Sequence, residues 1–295
     1  RTRTDLQSLW TVHFAPGTLS VTSTLNFDRL QNVILSSDPA KPTIFKKSSS
    51  IRGEYIAQCA YCQNVKIDGF TFIGNTPTYQ AGVYHWGDQG LFMPSTHNST
   101  VSRNNFYHIG NSAIRLVTYY KDPIKGINSF NNIVEDNYFE NVMQTSTTAD
   151  ATLVHGGSHN YIFRRNTFKD LRGSAKFATR VDNIPYLKDG KPAVLVENNT
   201  VLSSSNFAFE FSGYSGMIVR NNKISKALWA FVFSTNIRAL RGTEWEWGND
   251  ISVTGNTIED TANVVSFNNG GYTEYGQIEA DGSLTFHKYS PEQVR

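Results

Sequence analysis

One short pattern of apolar and polar positions recurs along the chain: an apolar residue, two polar ones, an Asn, any residue, then a large apolar residue. It reads Val101-Ser-Arg-Asn104-Asn-Phe106, Val134-Glu-Asp-Asn137-Tyr-Phe139, Phe163-Arg-Arg-Asn166-Thr-Phe168, Val196-Glu-Asn-Asn199-Thr-Val201, Val219-Arg-Asn-Asn222-Lys-Ile224 and Val253-Thr-Gly-Asn256-Thr-Ile258, with a degenerate copy at Ile67-Asp-Gly-Phe70-Thr-Phe72. Successive Asn residues are 33, 29, 33, 23 and 34 apart. Side chains alternate within each copy, the periodicity of a strand, and no segment carries a sustained helical stripe. Strands that return at such intervals in one orientation are too far apart for hairpins and stack in parallel, coil upon coil, as a solenoid. The bare coil is about 23 residues, so the longer intervals place inserted loops at particular corners. The recurrent Asn belongs at an inside corner, where stacked amides bond to one another and to turn backbone.

A second run follows each motif: Ala113 to Val117, Ala151 to Val154, Ala175 to Arg180, Ala208 to Phe211, Ala230 to Phe233 and Val264 to Phe267. With Ile114, Leu116, Leu153, Phe177, Phe209 and Phe211 inward, Arg115, Thr152, Lys176, Glu210, Val232 and Ser266 form one outward column. Its middle is charged and its C-terminal end is bland.

Composition narrows the class. Charged residues make up 18% of the 295, aromatics 13% and the apolar set 39%, which excludes a disordered chain. Asn contributes 27 residues and Gly 22, as expected of many short strands joined by tight corners. The net charge of +2 gives no footprint for nucleic acid, and no apolar run is long enough to span a membrane. Arg1-Thr-Arg-Thr-Asp5 has no apolar signal core, so any secretion signal has been removed or lies outside this sequence. Both cysteines sit in Cys59-Ala-Tyr-Cys62, a spacing that suits a local disulfide, paired or simply buried thiols, or less readily half a metal or redox site.

Thr11-Val-His-Phe14-Ala-Pro16-Gly17, Asn64-Val-Lys-Ile67-Asp-Gly69 and the Asn motif together resemble the right-handed parallel β-helix proteins of the pectate-lyase superfamily, over residues 9 to 270. The resemblance implies an all-β, single-stranded parallel β-helix of about nine coils, one domain over residues 1–295, with 271–295 as a C-terminal cap or tail. Lyases, hydrolases, epimerases, tailspikes and adhesins share that fold, so the site must decide the activity. The stretch from Asp150 through His155 and Asn166 to Arg180 is most similar to the alginate lyase and chondroitinase B family. That likeness puts Asp150 near an acidic metal ligand, with Ca²⁺ as the ion it would admit, and Arg180 near a catalytic Arg. The family's Lys falls at about Gly157 here, so the base would have to come from Lys176 or His155.

Elimination across a uronate needs a cation on the carboxylate, a base for the C5 proton and an acid for the leaving oxygen. Arg115, Lys176 and Arg180 suit the first role, His155 or Lys176 the second, and Tyr119, Tyr120 or Tyr186 the third. Trp245 and Trp247, with Tyr119 and Tyr120, lie in inserted loops where aromatic faces can stack on sugar rings. The sequence reading is a secreted, extracellular or periplasmic lyase or epimerase of an acidic polysaccharide, either a monomer or part of a larger protein. A hydrolase built on Asp150, Asp182 and Glu210 is the rival, although the polygalacturonase Asn-Thr-Asp and Asp-Asp signatures are absent. A glycan-binding tailspike or adhesin module is the third reading, and an ion-paired surface ladder of Arg115, Lys176 and Glu210 is the structural alternative to any site.

Overall fold

The computed structural model describes residues 9–48, 55–75, 89–117, 129–142, 150–155, 160–171, 174–178, 194–212, 217–234, 251–269, 272–278 and 284–288. Short strands wind through three sheets in rotation. Sheet A has nine strands, from Trp10–His13 to Ile251–Thr254, and sheet B has nine, from Gly17–Val21 to Thr257–Glu259. Sheet C runs from Leu25–Asn26 to Asn263–Asn269 and is extended by Tyr272–Ile278 and Leu284–Lys288. Among the described residues, pairing is parallel throughout the coils, and the last two strands pair antiparallel. No helix among the described residues is long and apolar enough to cross a membrane.

The motif occupies the corner between sheets A and B. Its first apolar residue is the last but one of a sheet A strand and points into the coil, as Val101, Val134, Phe163, Val196 and Val219 do in register. Its last is the second residue of a sheet B strand, where Phe72, Phe106, Phe139 and Phe168 stack with ring centroids 4.7 to 5.1 Å apart. These aromatic columns are fully buried and form one continuous core with the inward side chains of sheet C.

Between them runs the Asn ladder. Asn104, Asn137, Asn166, Asn199 and Asn222 each donate Nδ2 to the Oδ1 of the Asn one coil on, at 2.9 to 3.2 Å, ending on Asn256. Each Nδ2 also reaches a backbone carbonyl of the preceding coil, and each Oδ1 accepts the backbone N–H of the Asn below it. In the degenerate copy Phe70 takes the Asn place, and its N–H still bonds Asn104 Oδ1. The residue before every ladder position has positive φ: Gly69, Arg103, Asp136, Arg165, Asn198, Asn221 and Gly255. At Gly69 a Cβ would collide with the Ser37 carbonyl. Arg103 and Arg165 hold a left-handed backbone that such residues rarely adopt, and the ladder bonds offset its cost of order 1–3 kcal/mol.

The Cys59–Cys62 pair is a disulfide, which resolves the open sequence alternatives. Both residues are fully buried at the corner between the Tyr55–Gln58 and Gln63–Asp68 strands. Tyr61, inside the four-residue loop, has φ of 55°.

Candidate functional site

Register lines up the sheet C positions anticipated as one column, with one exception. Phe92, Arg115, Leu153, Lys176, Glu210, Val232 and Ser266 pair in that order on consecutive strands. Leu153 therefore holds the place expected of Thr152. Thr152 pairs instead with Ile114 and Ala175, and the pairing with the Ser174–Ala178 strand is irregular between Asp150 and Thr152. At about 4.8 Å per strand, Arg115 and Lys176 stand roughly 10 Å apart, and Lys176 and Glu210 are direct neighbours.

The flanking columns are also fixed by register. His155 pairs with Val117, and Asp150 pairs with Ser174, so these two candidates lie at opposite ends of one strand on either side of the central column. Among the described residues no three His, Cys, Asp or Glu side chains converge. Arg180, Tyr119, Tyr120, Asp182, Tyr186, Trp245 and Trp247 lie outside the described residues.

Arg115 is the best-defined member. Ile114 and Leu116 on either side of it are buried, which turns its own side chain outward, where it is partly exposed. Its guanidinium lies 5.9 Å from the Phe92 ring centre, and Phe92 stacks face to face on Tyr55 at 4.1 Å. Phe92 was absent from the sequence reading, although Gln89–Pro94 precedes Ala113–Val117 as the sheet C strand of the coil before. Arg115 Nε is buried with no hydrogen-bond partner among the described residues. Glu210 is partly exposed between fully buried Phe209 and Phe211, so it too faces outward.

The other charged cluster behaves differently. At the sheet A to B corner Arg103 binds Asp68, Arg164 and Arg165 bind Glu135, Arg165 also binds Asp136, and Arg220 binds Glu197. Burial acts to raise the Asp68 carboxyl, but Arg103, Ser102 and Lys66 outweigh it and hold the group below its ordinary value. The Arg165 bonds likewise hold Asp136 low. Each of these arginines meets a carboxylate of the chain, whereas Arg115 has an aromatic support and no described carboxylate.

No family model matches the chain, and no curated protein does. Solved structures do. A hyperthermoactive exopolygalacturonase from Thermotoga maritima aligns at TM-score 0.57 and 13% identity, over 88% of this chain and 67% of that one. PfbA, a surface adhesin of Streptococcus pneumoniae, aligns at TM-score 0.51 and 11% identity, over 95% and 78%. With the parallel sheets above, the chain is a right-handed parallel β-helix. At such identities the likeness extends to the fold alone.

Proposed function

We propose that the protein is a carbohydrate-active enzyme that binds an acidic, uronate-containing polysaccharide along the outward face of sheet C and cleaves or epimerises it through the C5 proton. The observation that carries this reading is Arg115: a cation held over an aromatic ring, with a buried donor unused by any described residue, is a ready partner for a carboxylate. Lys176, two strands on, adds a second positive residue to the same column by register, with Leu153 at the position between them.

In the lyase step a cation withdraws charge from the uronate carboxylate. His155 or Lys176 takes the C5 proton, the C–H electrons form the C4–C5 double bond, and the C4–O bond breaks. The departing oxygen is protonated by Tyr119, Tyr120 or Tyr186. Arg180 adds to the neutralising set. Epimerisation shares the first half and returns the proton to the other face. The buried disulfide supports a secreted protein, because such bonds persist in oxidising compartments.

A second reading, hydrolysis or retention of the same polymer, draws on two observations: Glu210 beside Lys176, and the likeness to an exopolygalacturonase and an adhesin. Incubation with polygalacturonate, alginate and glycosaminoglycans separates these readings. Ultraviolet absorbance from unsaturated ends selects the lyase, new reducing ends without it select the hydrolase, and binding with neither selects the adhesin-like module. No binding to any uronate polymer overturns the proposal.

A further inference from the structure

Sheet A presents a second patterned face to solvent, away from the Arg115 column. Ile133, Ile162, Leu195 and Ile218 stand side by side on four consecutive strands. All four are partly exposed, while Val134, Phe163, Val196 and Val219, next to them in sequence, are buried. Sheet B at the same coils shows what an ordinary solvent face needs: Tyr138, Thr167, Thr200 and Lys223 in register. An aliphatic column is not required by the solenoid.

Two residues along the same strands come Glu135, Arg164, Glu197 and Arg220, again in register, so charges of alternating sign flank the aliphatic column. Arg164 donates Nε to Glu135 Oε2 at 2.8 Å, and Arg220 donates to Glu197 Oε2 at 2.7 and 2.9 Å. Both glutamates engage only Oε2, and Arg164 engages only Nε, among the described residues. Unused donors and acceptors remain on the column.

We propose that this face binds a second copy of the chain, packed with its coil order reversed. A two-fold axis parallel to the strands, passing between Ile162 and Leu195, lays aliphatic column on aliphatic column. It sets Ile133 against Ile218 of the second copy, Ile162 against Leu195, Glu135 against Arg220 and Arg164 against Glu197. Every facing pair of charges is then opposite in sign. A two-fold along the solenoid axis instead carries the two charged columns apart, so the alternation selects the reversed arrangement. Four strands span only about 19 Å, which makes the contact small beside the ~800 Å² per partner of a stable interface. The dimer is therefore concentration-dependent.

Sedimentation velocity of the full chain, up to about 1 mM, tests this. The expected result is a monomer–dimer equilibrium that weakens with added salt, and an Ile162→Glu variant that stays monomeric with an unchanged far-ultraviolet circular dichroism spectrum. Oxidising an equimolar mixture of Ile162→Cys and Leu195→Cys chains should give the mixed cross-linked dimer. A wild-type monomer at every concentration, a trimer, or an Ile162→Glu dimer of undiminished affinity overturns the proposal. Cross-linking of each variant only to itself overturns the reversed order.

Discussion

The corner between sheets A and B and the outward face of sheet C both carry arginines on the same solenoid, but among the described residues those at the corner meet carboxylates and Arg115 does not. At the corner each ladder Asn from Asn104 to Asn222 uses its amide nitrogen twice, and the neighbouring guanidiniums end on carboxylates of adjacent coils. On sheet C, Arg115 rests on Phe92 with Nε unused by any described group. A polar side chain whose bonds close within the chain holds the fold; one that leaves a donor open is placed for something that arrives from outside.

Removing a ladder rung should break that contrast most severely. Asn166→Ala deletes bonds to Asn137, Val134 and Asn199 and leaves buried groups unpaired, with an expected loss on the order of 3–5 kcal/mol in chemical denaturation. Affinity for an acidic glycan, per folded molecule, should not change. If Asn166→Ala unfolded like the wild type, the ladder would not be the structural element described.

Replacing both cysteines by serine should cost about 2 kcal/mol, the loop entropy of so short a disulfide, read as a lower denaturation midpoint matched by the reduced wild type. No change in midpoint would show that the bond adds nothing.

A smaller effect is expected with pH. His97 stacks on Phe130 at 4.8 Å, its Nδ1 is buried without a partner, and burial lowers its affinity for a proton. The unfolded chain takes up that proton first, so stability should be full above the ordinary histidine value and fall as pH drops below about 6.5. His97→Phe should flatten the response between pH 7.5 and 5. Asp68 and Asp136, both held low, lose their contribution only in more acid solution.

Much of this architecture was legible because the Asn motif states its own corner. Period-two alternation named the strands, and the Asn spacing named the coils. Gly69, Asp136, Asn198, Asn221 and Gly255 even carry a signal for left-handed backbone, but Arg103 and Arg165 at the equivalent place do not, since the ladder imposes it on them. The chain carries a second Asn column. Asn64 bonds Asn32, Asn131 bonds Asn98 and Asn160 bonds Asn131, each at 2.8 to 2.9 Å, and Asn64, Asn98, Asn131 and Asn160 all lie six residues before a ladder position. That spacing is in the sequence.

The site was less legible for physical reasons. Alternation gives the periodicity of a strand but not its register with the next coil, and a one-residue difference puts Leu153 rather than Thr152 beside Arg115. Phe92 is hard to place from sequence because its strand follows the one motif copy without an Asn. Arg115 and Glu210 were found correctly as outward neighbours of buried residues, the feature that period-two patterning reports best.

The most direct test of the account is the affinity of wild-type and Arg115→Ala protein for the same uronate polymer, measured side by side with their denaturation midpoints. Loss of a charge-assisted carboxylate contact predicts roughly 10- to 100-fold weaker binding, partly restored by Arg115→Lys, with no change in midpoint. Equal affinities, or a fall in affinity matched by a fall in stability, would contradict a glycan site at this column.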